Sequence, residues 1–387
     1  MSEEFNDLMR KYKDYIDVSD AIYKLKTLKE EEINDIYNNI KIKLIENGII
    51  SASESFKMIE TAIKYNNRYF KSYFSLLQKL SIEYHLNKEE QLHKYEKYYE
   101  NLNNGPNSEV LHAIMNDDKI KLIILTQFPE FDIDQEVISP LFPLISMKLL
   151  DLCCYYGSLA CFRYLKSETN ITRDAVTCYY LGGNIDIISE CLGESYENSY
   201  WIEEVIASHN IDFFNFCMNE IDLKSELRFC GNFKNLHALF VYYDLTKDVN
   251  SCFAVSSTFN IPSLCEYFIS HGAFINTRFL NGYGHTALQL AALKDCDQSA
   301  EFLISKGIDT NALWAGLTAL HLAARSNSVN TLKVLILHCD DINVKGYNNR
   351  TPLHIAASHC RKEAFELLVS YGADINAKDG SGVIPHL

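Results

Sequence analysis

The chain has 387 residues, 47% of them apolar, with only 7 prolines and 16 glycines; this exceeds one ordinary globular core, excludes wholesale disorder and leaves two or three domains or one long repeat array. The formal charge is −15, divided as −2 over residues 1–105 (16 basic, 18 acidic) and −13 over residues 106–387 (20 basic, 33 acidic), which disfavours nucleic acid as a direct ligand and would suit a basic partner protein. All 12 cysteines lie between Cys153 and Cys360 with no Cys-x-x-Cys pair, no basic and apolar leader opens the chain, and apolar runs such as residues 122–125 are too short to cross a bilayer; a reducing cytoplasmic or nuclear location without membrane insertion is the expectation.

Residues 1–105 read as an N-terminal helical region. Ile40, Leu44 and Ile45 share a stripe that Gly48 ends, and Ser53-Glu54 opens a helix through Ile59, Ala62 and Ile63. Leu76, Leu77, Leu80 and Tyr84 continue at helical spacing. Asn103-Asn104-Gly105-Pro106-Asn107 is the strongest linker signal in the chain. Residues 106–249 carry short polar breaks at Gly157-Ser158, Gly183-Asn184, His209-Asn210 and Gly231-Asn232, and another at Phe259-Asn260. From Ser158 the intervals are 26, 26, 22 and 28 residues. A helix with apolar positions at i, i+3 and i+4 is expected after each break, so this segment reads as degenerate helix-turn-helix repeats that bury their faces only against neighbours.

From residue 250 the repetition is plain. Thr286-Ala287-Leu288-Gln289-Leu290-Ala291-Ala292 returns as Thr318-Ala319-Leu320-His321-Leu322-Ala323-Ala324 and as Thr351-Pro352-Leu353-His354-Ile355-Ala356-Ala357, at spacings of 32 and 33 residues. A second apolar helix follows each copy, then a stop such as Lys306-Gly307 or Tyr371-Gly372, then Asp309-Thr310-Asn311, Asp341-Ile342-Asn343 or Asp374-Ile375-Asn376. Each position has a physical role. Threonine caps a helix through its hydroxyl, proline fits the first turn, paired alanines let two helices approach, and glycine supplies the positive φ of a helix stop. A fainter copy runs from Ser251 to Ser257 and on to Gly272.

These motifs resemble the ankyrin repeat. The resemblance implies an all-α ankyrin-type helical solenoid with short β-hairpin loops, preceded by degenerate helix-pair repeats and the N-terminal helical region. The expected domains are residues 1–105, 106–249 and 250–387, the last with about four repeats and a truncated final one. The stretch Tyr65-Asn66-Asn67-Arg68-Tyr69-Phe70-Lys71-Ser72-Tyr73 is similar to the leader of protist ankyrin proteins, best known in trichomonads, in which a helical region of unknown function precedes the repeats. The family implies protein–protein binding, as scaffold or adaptor, rather than catalysis, with self-association of the array as the alternative. It also implies that His321 and His354 bridge backbone groups of neighbouring repeats.

No catalytic, cofactor-binding or metal site is expected. Gly282-Tyr283-Gly284-His285-Thr286-Ala287 meets a loose dinucleotide pattern, but it lies on repeat positions and not in a strand-to-helix phosphate turn. His338-Cys339 and His359-Cys360 read as ordinary helix-end residues, and Cys153-Cys154 and Cys161 as small buried ones. In an ankyrin array the hairpin tips line the concave face where partners bind. Here the tips carry Phe279, Trp314 and Tyr347, residue types that dominate interface hot spots. Arg278, Lys345 and Arg325 stand beside them. Either the rings form a binding stripe or they pack between hairpins. The final residues, 380–387, begin a further repeat that stops before its helix, so the last repeat is expected to be the least stable of the array unless a partner or second copy covers it.

Overall fold

The computed structural model describes residues 1–191, 202–218, 226–279 and 284–386. They divide into two compact units, residues 2–221 with 233–240, and Met1 with residues 222–232 and 241–387. Apart from one antiparallel pair, Glu136–Ile138 against Ser146–Lys148, the regular structure described is helical.

In the first unit, helices Ala52–Tyr65 and Phe70–Glu83 pack side by side. The former starts earlier than Ser53. Ser51 is its N-cap, accepting from the Glu54 N–H while Glu54 accepts from the Ser51 N–H. Gly48, with φ of 67°, follows a stretch of π-helix, Ile40–Glu46, that buries Ile40 and Leu44. Beyond residue 105 come paired helices. The inner members Ser108–Met115, Leu149–Tyr156, Arg173–Gly182 and Ile202–Ala207 stack in that order, and the outer members Lys119–Thr126, Leu159–Glu168 and Ile185–Cys191 stack alongside. Asp117 sits at φ of 54° after the first inner helix. Its carboxylate accepts from the Cys161 and Ala160 N–H groups at 2.9 and 3.2 Å, capping the outer helix of the next pair. The expected break at Gly231-Asn232 is displaced. Both residues lie in helix Arg228–Asn232, and the turn falls at Lys234, φ 54°, with Asn235 Oδ1 capping the following helix through the Ala238 N–H at 2.9 Å.

The second unit holds four helix pairs from residue 249: Val249–Ser256 with Pro262–Ser270, Ala287–Lys294 with Asp297–Ser305, Ala319–Ser326 with Val329–His338, and Pro352–Ser358 with Lys362–Ser370. Inner helices stack on inner and outer on outer. Ala291, Ala292, Ala323, Ala324 and Ala356 are fully buried, as close inner-helix contact requires.

Three sets of side chains join repeat to repeat. At the start of the last three inner helices the threonine and the residue three positions later cap each other. His321 Nδ1 accepts from the Thr318 N–H at 3.3 Å, so its other nitrogen carries the proton and donates to the Arg350 carbonyl at 3.0 Å. His354 makes the same bridge to the Val383 carbonyl at 3.0 Å. Gln289 does it with an amide: its oxygen accepts from the Thr286 N–H at 3.0 Å and its nitrogen donates to the Ala312 carbonyl at 2.8 Å. At the end of the inner helix a residue with positive φ caps the neighbouring outer helix. Asn260 serves the Ser299 N–H, Asp295 the Asn330 and Thr331 N–H groups, and Asn327 the Ala364 N–H, at 2.9 to 3.1 Å. In the Asp-x-Asn segments the aspartate closes a local turn, and Asn276 and Asn343 accept from the Asp309 and Asp374 N–H groups at 2.9 and 2.8 Å.

Candidate partner-binding face

The hairpin tips are built from short, positive-φ turns. Trp314 and Leu317 exchange two backbone hydrogen bonds of 2.8 Å around Ala315 and Gly316, whose φ values are 47° and 76°. Such turns match the twist of the flanking arms. The next tip turns through Asn348 and Asn349, φ 56° and 54°, and its Gly346 N–H donates to the Arg350 carbonyl at 2.8 Å. In the first tip Phe279 and His285 face each other across an antiparallel bridge, with a 2.8 Å bond from the Phe279 N–H to the His285 carbonyl. Leu280, Asn281, Gly282 and Tyr283, and with them the front of the loose glycine pattern, lie outside the described residues. Gly284 serves as a turn residue with φ of 70°, and Thr286 as a helix cap.

The tips are tied to one another. Arg278 Nη1 donates to the Gly284 carbonyl of its own tip and to the Leu313 carbonyl of the next, each at 3.1 Å. Trp314 stacks on His285 of the preceding tip, with ring centroids 4.3 Å apart. The Tyr347 N–H donates to the Gly316 carbonyl at 2.9 Å, and the Gly380 N–H to the Asn348 carbonyl at 2.7 Å. A Cβ on Gly346 would meet the Gly316 oxygen at 2.7 Å and His321 Nε2 at 2.8 Å, so glycine is required where these tips approach. Burial pushes the His285 imidazole down to about 4, with the nearby Arg325 charge acting the same way. Burial also lowers His321. Both rings are neutral at pH 7.

The six residues singled out in the sequence fare differently. Phe279 is 1% exposed and offers nothing to a partner. Buried in this way, it belongs to the packing of the array and leaves the proposed stripe. Trp314 is half-buried because one face is covered by His285. Tyr347 is 75% exposed. Lys345 and Arg325 are exposed. Arg278 is exposed too, but its guanidinium also fastens two tips together. Sequence reasoning missed His285, which precedes the helix-capping threonine and looks there like any turn residue. It also missed Leu313, 52% exposed beside Trp314. The other histidine and cysteine pairs have local roles: His338 Nε2 lies 3.2 Å from Glu301, and His359 Nδ1 lies 3.0 Å from the Ile355 carbonyl. No described helix is long and apolar enough to cross a membrane.

Charge is distributed more finely than the chain total suggests. Residues 250–387 hold 10 basic and 11 acidic residues, and residues 106–249 hold 10 basic and 22 acidic. Arg278, Arg325 and Lys345 are exposed there, as are Asp309, Asp341 and Asp374 of the hairpin segments.

Comparison with known proteins agrees with this geometry. Residues 313–379 match the model of ankyrin repeats in three copies, and residues 283–314 that of a single ankyrin repeat. Residues 167–242, over the degenerate helix pairs, match a domain of unknown function (DUF3447). A putative ankyrin repeat protein of Fowlpox virus, FPV031, is 30% identical over 135 residues, covering 34% of this chain and 40% of that protein. Human NF-kappa-B inhibitor alpha is 35% identical over 114 residues, 28% of this chain and 35% of its own. A putative ankyrin repeat protein of Rickettsia felis is 35% identical over 105 residues, 26% and 33% respectively. The matches thus span well under half of each of these three relatives.

Proposed function

We propose, from the premise that this chain is an ankyrin-repeat protein, that it is a non-catalytic scaffold or adaptor whose hairpin face holds a segment of another protein. Ankyrin arrays are protein–protein interaction modules. The observation that carries the finer reading is Tyr347, 75% exposed on a tip whose backbone is bonded to both neighbouring tips. A large ring presented on a rigid support loses little conformational freedom on binding, which is what an interface anchor needs. Trp314 and Leu313 extend the apolar contact, and Arg278, Arg325 and Lys345 surround it with positive charge. The segment that fits is acidic and contains an apolar side chain. The human relative is named an inhibitor of NF-kappa-B, and a comparable restraining role on another protein falls within the adaptor reading.

A basic partner is the second reading, favoured by the excess of 22 acidic over 10 basic residues in residues 106–249. It would engage that segment and leave the tips free. Affinity capture with the full chain, followed by mass spectrometry, separates the two. A partner of the hairpin face disappears from the capture when Tyr347→Ala and Lys345→Glu are combined, and it carries an acidic stretch. A partner that survives this change and is lost when acidic residues of 106–249 are neutralised establishes the second reading. Light scattering at the capture concentration identifies self-association, the remaining alternative.

A further inference from the structure

Segment 65–73, which the interaction reading leaves unused, forms one wall of a cavity of about 490 Å³ within the unit of residues 2–221. Asn67 fixes this wall. Its N–H donates to the Tyr155 hydroxyl at 3.0 Å, its amide nitrogen to the Leu141 carbonyl at 2.9 Å, and its oxygen accepts from the Tyr156 hydroxyl at 2.7 Å. The next residue, Arg68, is thereby held at the cavity. Its Nη2 donates to the Tyr156 carbonyl at 2.7 Å and its guanidinium lies 5.4 Å from the Tyr156 ring. Its Nε is buried without an acceptor, and no carboxylate pairs with it among the described residues. Lys24 and Lys26 also line the cavity. Lys24 is answered by Asp20 at 2.8 Å, whereas Lys26 is exposed. Asp212, exposed, is the acidic residue on the lining. Tyr65 and Tyr69, both part-exposed, supply rings, while Tyr23 is buried with its ring stacked on His209 at 4.3 Å.

A half-buried guanidinium that no carboxylate neutralises is well placed to take an anion. The cavity has the volume of a small-molecule site. Arg68 and Lys26 together match the two charges of a phosphate monoester, and guanidinium groups take phosphate oxygens well. The tyrosines suit a planar ring. We propose that this cavity binds a small organic phosphate carrying a planar ring, of mononucleotide size, with the phosphate on Arg68 and Lys26 and the ring among the tyrosines. The site is independent of the hairpin face.

The test uses the full chain with adenosine 5′-monophosphate, adenosine and inorganic phosphate as probes, read by calorimetric titration and by melting temperature. The monophosphate should bind and raise the melting temperature, with each fragment at least about tenfold weaker. Lys26→Glu, on the exposed rim, should keep the circular dichroism of the parent and weaken the monophosphate about tenfold or more. Arg68→Lys should weaken it as well. No binding of the monophosphate at millimolar concentration overturns the proposal. So does equal affinity for inorganic phosphate, or an affinity that Lys26→Glu leaves unchanged.

Discussion

Replacing Glu204 with glutamine probes a carboxyl group that the fold holds in the wrong protonation state for water. Glu204 lies on the inner helix Ile202–Ala207, and its Oε2 is buried without a hydrogen-bond partner. Burial, reinforced by the charge of Glu203, pushes its pKa from the ordinary 4.5 up to about 8. The folded chain therefore keeps this proton through neutral pH, whereas the unfolded chain releases it near 4.5. Stability from this group is full below pH 4.5, declines between 4.5 and 8, and is level above. At pH 7 the loss amounts to about 2.5 pH units of linkage, or about 3 kcal/mol. Glutamine is neutral at every pH and has nearly the same shape. Glu204→Gln should match the parent near pH 4, exceed it by about 3 kcal/mol at pH 7, and by more at pH 9. Urea unfolding followed by circular dichroism at the three pH values measures this. Parallel stability curves for parent and variant, or a glutamine variant that is less stable at pH 7, would refute the reasoning.

The inter-repeat bonds give further expectations. His321→Gln should stay within about 1 kcal/mol of the parent, because Gln289 makes the same two bonds with an amide, whereas His321→Ala should cost about 1–3 kcal/mol by leaving the Thr318 N–H and Arg350 carbonyl unpaired; equal losses for the two variants in thermal unfolding count against the bridging role. Asn327→Ala removes the acceptor for the Ala364 N–H and places alanine at φ of 58°, so hydrogen exchange should accelerate across Lys362–Ser370 and not across Asp297–Ser305. Gly346→Ala forces a Cβ to 2.7 Å from the Gly316 oxygen and should lower stability by about 1–3 kcal/mol; a variant as stable as the parent in the same unfolding assay would mean that the tips do not approach as described.

The repeat was readable because each of its signature residues does a local job. Thr286, Thr318 and Thr351 cap the helix they begin, and Asp309, Asp341 and Asp374 fold the turn they occupy. Neither needs knowledge of the rest of the chain. The partner-facing residues were less readable because exposure depends on how one hairpin meets the next. Phe279 looked equivalent to Tyr347 as an aromatic on a tip. Phe279 is paired with His285 across its hairpin and is buried, whereas Tyr347, on a tip that turns through Asn348 and Asn349, stands in solvent. The capping role of Asp295 and Asn327 is likewise invisible without the neighbouring repeat, since each side chain caps backbone 35 to 37 positions further on. The turn at Lys234 escaped notice because Gly231-Asn232 carries a stronger turn signal, yet Gly231 is buried against Thr258, within its own unit, and sits inside a helix. Arg68 was part of a segment recognised only by resemblance, and nothing in its spacing indicates a cavity.

The central claim is that the array binds a partner through its hairpin face, and the affinity of the captured partner for a Trp314→Ala, Tyr347→Ala double variant tests it most directly. With circular dichroism and melting temperature close to those of the parent, the account predicts binding weakened more than tenfold, a loss above about 1.4 kcal/mol. Unchanged affinity in a variant that remains folded would contradict it and place the partner elsewhere on the chain.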